Sequence, residues 1–420
     1  MRRPLDMMEF PIPPAAAGGI QSTDAVSRRE FMTVMGASLA LAGASGCNLR
    51  EPDEKLIPYV RKPEQVTPGK SLHYATACTV AGSAVGVLVE SHVGRPTKVE
   101  GNPQHPASLG ATDAFSQASI LTLYDPDRSK AVRYLGRIRG WTEAVADLQK
   151  ELSRGGGFRE TKGGGLRVLS ETILSPTLAA RREEFLRTFP ESRWHQYEPA
   201  VSGSGHAGTR LAFGEPQDVQ YRFGEAKVVL TLDADPLGSG PGHLAYARQF
   251  AERRRKLTKA EMNRHYCVES APSAAGMRAD HRLPVCPSHV ETIARALAAK
   301  LGVLNDGVQL PEATDKWVAA VAADLRANGG RCVVVPGEYQ PPAVHAIAHA
   351  VNHHLGNVGK TLVFTQPVSA DPVDPIESLR TLCDEMRTPM NWSICTARRL
   401  PVRMPAWCGI GVHVHAWFLD

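Results

Sequence analysis

Four histidines at helical spacing form the pattern in this chain that most directly suggests metal chemistry: His345, His349, His353 and His354. Residues four and eight apart share one face of a helix, so the first three imidazoles would form a row able to hold a metal ion or a haem. No carboxylate stands beside them in sequence to orient the rings, and Asn352 is the nearest polar neighbour. The alternative interpretation is a helix face that packs on a neighbouring element or a partner.

Two acidic residues, Asp233 and Asp235, directly follow the apolar run from Lys227 to Leu232, which predicts a buried strand. Ligands of open α/β sheets bind at the carboxyl ends of strands, where paired carboxylates can serve acid–base chemistry. The alternative interpretation is a pair of loop carboxylates that cap the next helix.

The cysteines do not have the spacing of a self-contained zinc or iron–sulfur site, because no two of them form a Cys-x-x-Cys pair. Cys267 and Cys332 lie in apolar, strand-like runs, a setting typical of buried and inert thiols rather than of disulfides. The eight are Cys47, Cys78, Cys267, Cys286, Cys332, Cys383, Cys395 and Cys408.

The elements that must position these residues alternate between strand and helix patterns, which predicts an α/β fold with parallel sheets covered on both faces. We expect one α/β lobe over 136–301 and a second over 302–387. The strand-like pattern over 71–135 predicts a small β-rich unit with an antiparallel hairpin around Gly94. The segment 388–420 has no period of 2 or 3.6, so we expect an irregular tail, either from a truncated or frameshifted gene or as an ordinary irregular terminal segment.

Composition limits the functions that this chain can have. Its 420 residues are 43% hydrophobic and carry a net charge of +5, enough for two or three lobes of ordinary size. The basic residues are scattered along helical stretches and are not gathered with aromatic residues. Nucleic acid is therefore not an expected partner.

The amino-terminal segment predicts an export signal. Arg28 and Arg29 precede a run of small apolar residues, a pattern typical of a twin-arginine export signal, with the twin-arginine translocase as the implied partner. The run holds only about 16 residues, short of the roughly 20 that a spanning helix needs. We expect a signal region over 1–46 and a proline-rich tether over 47–70. Cys47 follows a lipobox-like stretch, so it is either a lipidation site or an unmodified thiol.

Several short motifs in a fixed order identify a family. A Gly-Arg-Pro turn at 94–96, Glu-Gly-Asn-Pro-Gln-His-Pro at 100–106, Tyr-Asp-Pro-Asp-Arg at 124–128 and Ala-Asp-His-Arg-Leu-Pro at 279–284 resemble molybdopterin-dependent oxidoreductases. The resemblance implies the α/β fold of the formate dehydrogenase and DMSO reductase type. If a bis-pterin guanine cofactor is bound, it also implies a set of binding residues, namely Arg95, Asn102, His105, Arg128 and Asp280.

A narrower resemblance comes from the leader, the tether at 51–59 and the segments 232–242 and 355–361, which are similar to the large iron–sulfur subunit of alternative complex III. That resemblance implies a quinol-oxidising respiratory complex on the periplasmic face of the cytoplasmic membrane. The implied partners are an iron–sulfur domain, a membrane quinol-oxidising subunit and cytochrome c subunits.

The chain departs from the family pattern where cofactors bind. Cys78 stands alone where catalytic relatives have a cluster motif of several cysteines, and one thiol cannot hold a cubane. No metal ligand is found near Ser170, and 287–290 reads Pro-Ser-His-Val in place of the family's Pro-Gly-Thr-Asp. We therefore predict a scaffold with no catalytic residue, metal or cofactor of its own, and expect iron–sulfur clusters on a missing carboxyl-terminal half or a partner. The alternative is a true molybdopterin-dependent oxidoreductase subunit.

Overall fold

The computed structural model describes residues 32–33, 35–36, 64–80, 83–128, 131–134, 137–152, 160–199, 203–255, 262–305, 308–387, 392–396 and 412–415. The chain divides into two compact units, Met1–Pro63 and Glu64–Asp420. In the first unit, two short helical pieces at 32–33 and 35–36 are described. Arg28, Arg29 and Cys47 lie outside the described residues, so the export signal and the lipidation site stay predictions.

The described strands, in chain order, are β1 (Leu72–Val80), β2 (Ser83–His92), β3 (Arg95–Gly101), β4 (Val132–Tyr134), β5 (Arg137–Arg139), β6 (Leu166–Ser170), β7 (Arg193–Gln196), β8 (Asp218–Tyr221), β9 (Val228–Leu232), β10 (Arg264–Glu269), β11 (His281–Pro284), β12 (Cys332–Pro336), β13 (Leu362–Thr365), β14 (Trp392–Thr396) and β15 (Val412–His415). The described α-helices are α1 (Ala114–Ala118), α2 (Leu121–Tyr124), α3 (Trp141–Leu152), α4 (Pro176–Thr188), α5 (Ser204–Phe213), α6 (His243–Arg254), α7 (Ala274–Met277), α8 (Val290–Leu301), α9 (Glu312–Ala327), α10 (Pro342–His354) and α11 (Pro375–Met386).

A central four-stranded sheet has the order β11-β10-β9-β12, with every neighbouring pair parallel. Successive residues of a strand point to opposite faces, and β9 follows this rule. Val228 and Leu230 pack with α8, α9 and α10 in one hydrophobic cluster, whereas Val229 packs with Tyr246 and Phe250 of α6 in another. The sheet is therefore covered on both faces, which explains why β9 and β12 are buried throughout.

A second parallel sheet has the order β15-β14-β6-β7. The α/β fold with parallel-sheet lobes that the sequence predicts is confirmed by these two sheets. Residues 392–396 and 412–415 form strands here, whereas the sequence predicted an irregular tail over 388–420. Strand 392–396 contains a tryptophan, an isoleucine and a threonine, residue types that favour extended backbone, and its pairing partner β6 is far away in sequence.

Two antiparallel units complete the described part of the chain. Strands β1, β2 and β3 form a meander whose small core contains Val85, Val87 and Val99, and Leu244 of α6 packs against it. Strand β13 pairs with β8 in antiparallel fashion and does not join the parallel sheet that the alternating pattern predicted. A local pattern could not predict this pairing, because the partner strand β8 lies far earlier in the chain. Leu362 of β13 is paired with Tyr221 of β8. In the described residues, none of the helices combines the length and apolar character needed to cross a bilayer.

Candidate functional site

The carboxyl edge of the central sheet brings together the ends of three strands around Asp233. This residue has a positive φ of 54°, an uncommon conformation for a residue other than glycine. Its Oδ1 accepts hydrogen bonds from the Ser270 backbone N–H at 2.8 Å and the Ser270 hydroxyl at 2.9 Å. Its Oδ2 accepts from Nε2 of Gln340 at 2.8 Å. Asp233 thus joins the loops that follow β9, β10 and β12.

Asp235 lies two residues farther along and caps a helix. Its Oδ1 accepts from the backbone N–H groups of Gly238 at 3.1 Å and Ala275 at 2.9 Å, and its Oδ2 accepts from Ala274 at 3.3 Å. The capping interpretation therefore describes Asp235. The capped helix is α7, distant in sequence, and not the next helix along the chain as the sequence predicted, because β10 lies beside β9 in the sheet.

Glu269, at the end of β10, is a buried carboxylate that the sequence analysis did not single out. It is only 2% exposed and accepts from the Ser273 hydroxyl at 2.6 Å and the Ser273 backbone N–H at 3.2 Å. Arg282 forms an ion pair with its other oxygen. Burial opposes ionisation, but these hydrogen bonds outweigh it and hold the pKa of Glu269 below its ordinary value.

Asp280, one of the residues that the resemblance assigned to a cofactor, has internal partners. The guanidinium of Arg254 binds both of its oxygens, with Nη1 at 3.1 Å, and the backbone N–H of His265 donates to Oδ2 at 2.8 Å. Burial opposes ionisation of Asp280, yet the hydrogen bonds from Arg254 and His265 keep its pKa below the ordinary value. The carboxylate thereby ties β10 to the end of α6.

Asn102 and His105 form one tight turn against β2. Oδ1 of Asn102 accepts from the Gln104 backbone N–H at 3.0 Å, and the His105 N–H donates to the Asn102 carbonyl at 3.0 Å. The His105 ring lies so close to Gly86 that a Cβ built on that glycine would be 2.3 Å from it. Glycine is therefore required at position 86 for the turn to reach the sheet.

Arg95 and Arg128 lie at the surface of the same unit. The Arg95 guanidinium stands 5.0 Å from the centroid of the Tyr124 ring, a cation–π contact, and the Tyr124 hydroxyl donates to the Pro96 carbonyl. The Arg128 backbone N–H donates to the Asp125 carbonyl at 3.1 Å and closes the turn that carries this arginine.

Helix α6 contacts two of the segments that carry these residues, at different points along the helix. Arg248 donates to the Leu109 carbonyl at 2.7 Å, close to the Asn102–His105 turn, whereas Arg254 holds Asp280. Six residues of helix separate the two contacts, about 9 Å along the axis at 1.5 Å per residue. The five residues that the resemblance named are thus anchored in separate local contacts, and their assignment to a cofactor stays a prediction.

The histidine row predicted in the sequence lies on α10 and is divided between core and surface. His345 and His349 are buried, whereas His353 and His354 are exposed. The His349 ring packs against Phe364, with centroids 5.3 Å apart, and against Phe213 at 5.9 Å. Burial lowers the pKa of His345 to about 4 and that of His349 to about 3, so both imidazoles are neutral at pH 7.

Those contacts favour the packing interpretation of the row over a ligand role. Among the described residues, no group of three or more His, Cys, Asp or Glu side chains is arranged to hold a metal ion. A carbon atom added to Gly208 of α5 would lie 2.2 Å from Cβ of His345, which shows how closely α10 approaches that helix.

Two thiols lie in the buried, apolar surroundings that the sequence predicts. Cys267 and Cys332 are fully buried, as predicted, and burial raises their pKa values to about 12 and about 11. Such thiols are not nucleophilic at neutral pH. Cys78 lies within β1 opposite Val85 and is a free thiol.

The donors at the carboxyl edge of the central sheet do not fit the phosphates of a pterin dinucleotide. Such phosphates need free backbone N–H groups at strand ends and helix starts. Here Asp235 accepts the N–H groups of Ala274 and Ala275, and Asp233 accepts that of Ser270. The same carboxylates would repel a diphosphate.

Comparison with known proteins finds a partial match to a molybdopterin-binding-like subunit. The chain is 33% identical over 103 residues to the menaquinone reductase molybdopterin-binding-like subunit of Nitratidesulfovibrio vulgaris, a match that spans 23% of this chain and 14% of the relative. Acetylene hydratase from Pelobacter acetylenicus has a TM-score of 0.47 at 12% identity, over 73% of this chain and 47% of the enzyme.

The formyltransferase/hydrolase complex of Methylorubrum extorquens aligns with a TM-score of 0.42 and 15% identity, over 67% of this chain and 79% of the other. No family model matches the chain. The sequence match to the menaquinone reductase subunit confirms the resemblance to molybdopterin oxidoreductases that the motifs indicated.

Proposed function

We propose that this chain is a scaffold subunit of a membrane-associated respiratory complex that oxidises quinol, and that it holds no cofactor of its own. The observation that carries the proposal is the carboxyl edge of the central sheet. There, Asp233, Asp235 and Glu269 bind the chain's own N–H, hydroxyl and guanidinium groups. A site occupied by internal carboxylates favours a structural role over phosphate binding.

The similarity to a molybdopterin-binding-like subunit of a menaquinone reductase supports the respiratory part of the proposal. By analogy, iron–sulfur clusters and haems belong to partner subunits or to a ferredoxin-like half, as in alternative complex III. Export by the twin-arginine translocase would place the chain at the periplasmic face of the membrane, with Cys47 as a lipid anchor.

Cofactor content tests the proposal directly. The full chain, purified from its native membranes, is analysed for molybdenum, tungsten and iron by mass spectrometry and for oxidised pterin by fluorescence. We expect far less than one equivalent of each per chain after partner subunits are removed. Stoichiometric molybdenum and pterin would overturn the scaffold proposal in favour of an oxidoreductase subunit.

A variant separates bound pterin from contamination. In the oxidoreductase alternative, Arg95→Gln lowers the pterin content, whereas Arg181→Gln, an equal change of charge at an exposed and unrelated position, does not. In the scaffold proposal neither substitution changes the trace pterin content.

Export and assembly are tested in cells. Replacing Arg28 and Arg29 by lysine should retain the chain in the cytoplasm, and Cys47→Ser should release exported chain from the membrane fraction. Wild-type chain should migrate in native gels with iron–sulfur and haem subunits. Membrane attachment that persists without Cys47 and without any haem or iron–sulfur partner would contradict the proposal that the chain belongs to a respiratory complex.

A further inference from the structure

A basic cavity lies at the amino edge of the central sheet, opposite the carboxylates described above. Its volume is about 600 Å³, and five cationic side chains and one carboxylate line it: Arg222, Lys227, Arg253, Arg331, Lys360 and Glu225. Such an excess of positive charge in a concave site attracts anions.

Sheet register places two of these cations side by side. Lys227 directly precedes β9 and Arg331 directly precedes β12, and the register pairs Val228 with Cys332. The Lys227 backbone N–H accordingly donates to the Arg331 carbonyl at 2.6 Å. Like charges at facing positions of adjacent strands repel each other and destabilise a sheet, so the Lys227–Arg331 pair is an unfavourable arrangement.

Nearby arginines show how the chain treats a cation with a purely structural role. Arg264, at the start of the neighbouring strand β10, is bound by both oxygens of Asp324 at 2.7 and 2.9 Å. Within the described residues, by contrast, no carboxylate forms an ion pair with Lys227, Arg331 or Lys360. The cavity cations are therefore left for a group outside the described chain.

Arg253 contributes a cation whose guanidinium is fixed at the cavity wall. Its Nη1 donates to the Gly224 carbonyl at 2.9 Å, which holds the group in place. Its Nε is buried, so an anion in the cavity would be bound through the other N–H groups of the guanidinium.

We propose that this cavity binds a compact phosphate anion, either a free diphosphate or the phosphate of a lipid headgroup. Guanidinium forks and lysine ammonium groups together match the several oxygens of a phosphate group. Among the described residues that line the cavity, none has an aromatic ring on which a nucleobase could stack. A concave site also favours a compact anion over an extended acidic surface.

The test uses the full chain and two probes. Inorganic pyrophosphate is titrated by calorimetry at low salt, and the chain is floated with phosphatidylcholine vesicles that contain or lack phosphatidylglycerol. We expect binding to pyrophosphate to weaken about tenfold or more in Lys227→Gln/Arg331→Gln, since two charge-assisted contacts to the anion are lost. The charge-matched control Arg181→Gln/Arg380→Gln, at exposed positions elsewhere, should bind within about twofold of wild type.

A gain of affinity cannot arise from misfolding, so Glu225→Gln completes the design. Removing the one carboxylate in the lining should strengthen pyrophosphate binding several-fold. Vesicle binding that is lost in the Lys227/Arg331 variant supports a lipid headgroup, and pyrophosphate binding without vesicle binding supports a free anion. Absence of both, equal losses in the control, or binding of poly-glutamate in place of pyrophosphate would overturn the proposal.

Discussion

The two edges of the central sheet carry opposite charges and treat them in opposite ways. At the carboxyl edge, Asp233, Asp235 and Glu269 each bind groups of the chain itself. At the amino edge, Lys227 and Arg331 stand side by side without a described carboxylate partner. The first set of charges stabilises the fold, and the second set forms the anion site that we propose.

This contrast reverses the usual expectation for an open α/β sheet, in which ligands bind at the carboxyl ends of the strands. In this chain that edge is closed by its own side chains, and the available binding chemistry lies at the other end. Substitutions at the carboxyl edge should therefore cost stability, and those at the amino edge should cost anion binding.

The largest effect should come from acid, through the imidazoles buried behind the carboxyl edge. The folded-state pKa of His345 is about 4, against an ordinary 6.5, so the unfolded state binds more protons below pH 6.5. Stability is therefore full above pH 6.5 and falls by about 3 kcal/mol for this residue by pH 4. His349 should add a similar loss.

Urea titrations at pH 7, 5 and 4 measure this loss. His349→Leu should reduce the pH dependence by about half, because His345 remains, and His345→Leu/His349→Leu should remove most of it. A stability that is constant between pH 7 and 4 would show that these imidazoles are not buried as described.

Removing Glu269 should have the next largest effect. Glu269→Ala leaves the Ser273 N–H and hydroxyl and the Arg282 guanidinium without their acceptor, and we expect a loss of about 3 kcal/mol in the free energy of unfolding. The control Glu184→Ala removes an exposed ion pair with Arg181 and should cost less than about 0.5 kcal/mol. Equal costs, measured by urea denaturation, would contradict the closed carboxyl edge.

Gly337 tests how tightly the loop after β12 packs on Asp233. A Cβ at this position would lie 1.9 Å from the Asp233 carbonyl oxygen, a backbone atom that cannot rotate away. Gly337→Ala should therefore cost about 2 kcal/mol. Gly140→Ala, where the added carbon meets nothing within 4 Å, should stay within about 0.5 kcal/mol of wild type. A wild-type urea midpoint for Gly337→Ala would refute this close approach.

The smallest effect belongs to the amino edge. Lys227→Gln removes a repulsion with Arg331 and breaks no described ion pair. The free energy of unfolding should therefore rise slightly, by less than about 0.5 kcal/mol. The same urea assay measures it. A loss as large as that of Glu269→Ala would mean that the lysine has a structural partner, and the contrast between the edges would fail.

Much of the fold could be predicted from local patterns, and the candidate site only in part. The run 228–232 is a buried strand because its apolar residues face cores on both sides of the sheet. The role of Asp235 could not be predicted fully, since the helix that it caps begins at Ala274, beside it only in space. The structural role of Glu269 was missed because its partners Ser273 and Arg282 are brought to it by the fold and not by a local pattern.

The sequence by itself determined the alternation of strands and helices that gives the α/β fold, and which family motifs the chain carries, because periodicity and short motifs are local properties. The strands at 392–396 and 412–415 were not predicted. Only the tertiary structure decided which charges are satisfied. The sheet order β11-β10-β9-β12 inserts a long crossover between β9 and β12 and thereby places Lys227 beside Arg331. Register across such a crossover depends on the packing of the whole lobe, so the basic cavity has no signature in the linear sequence.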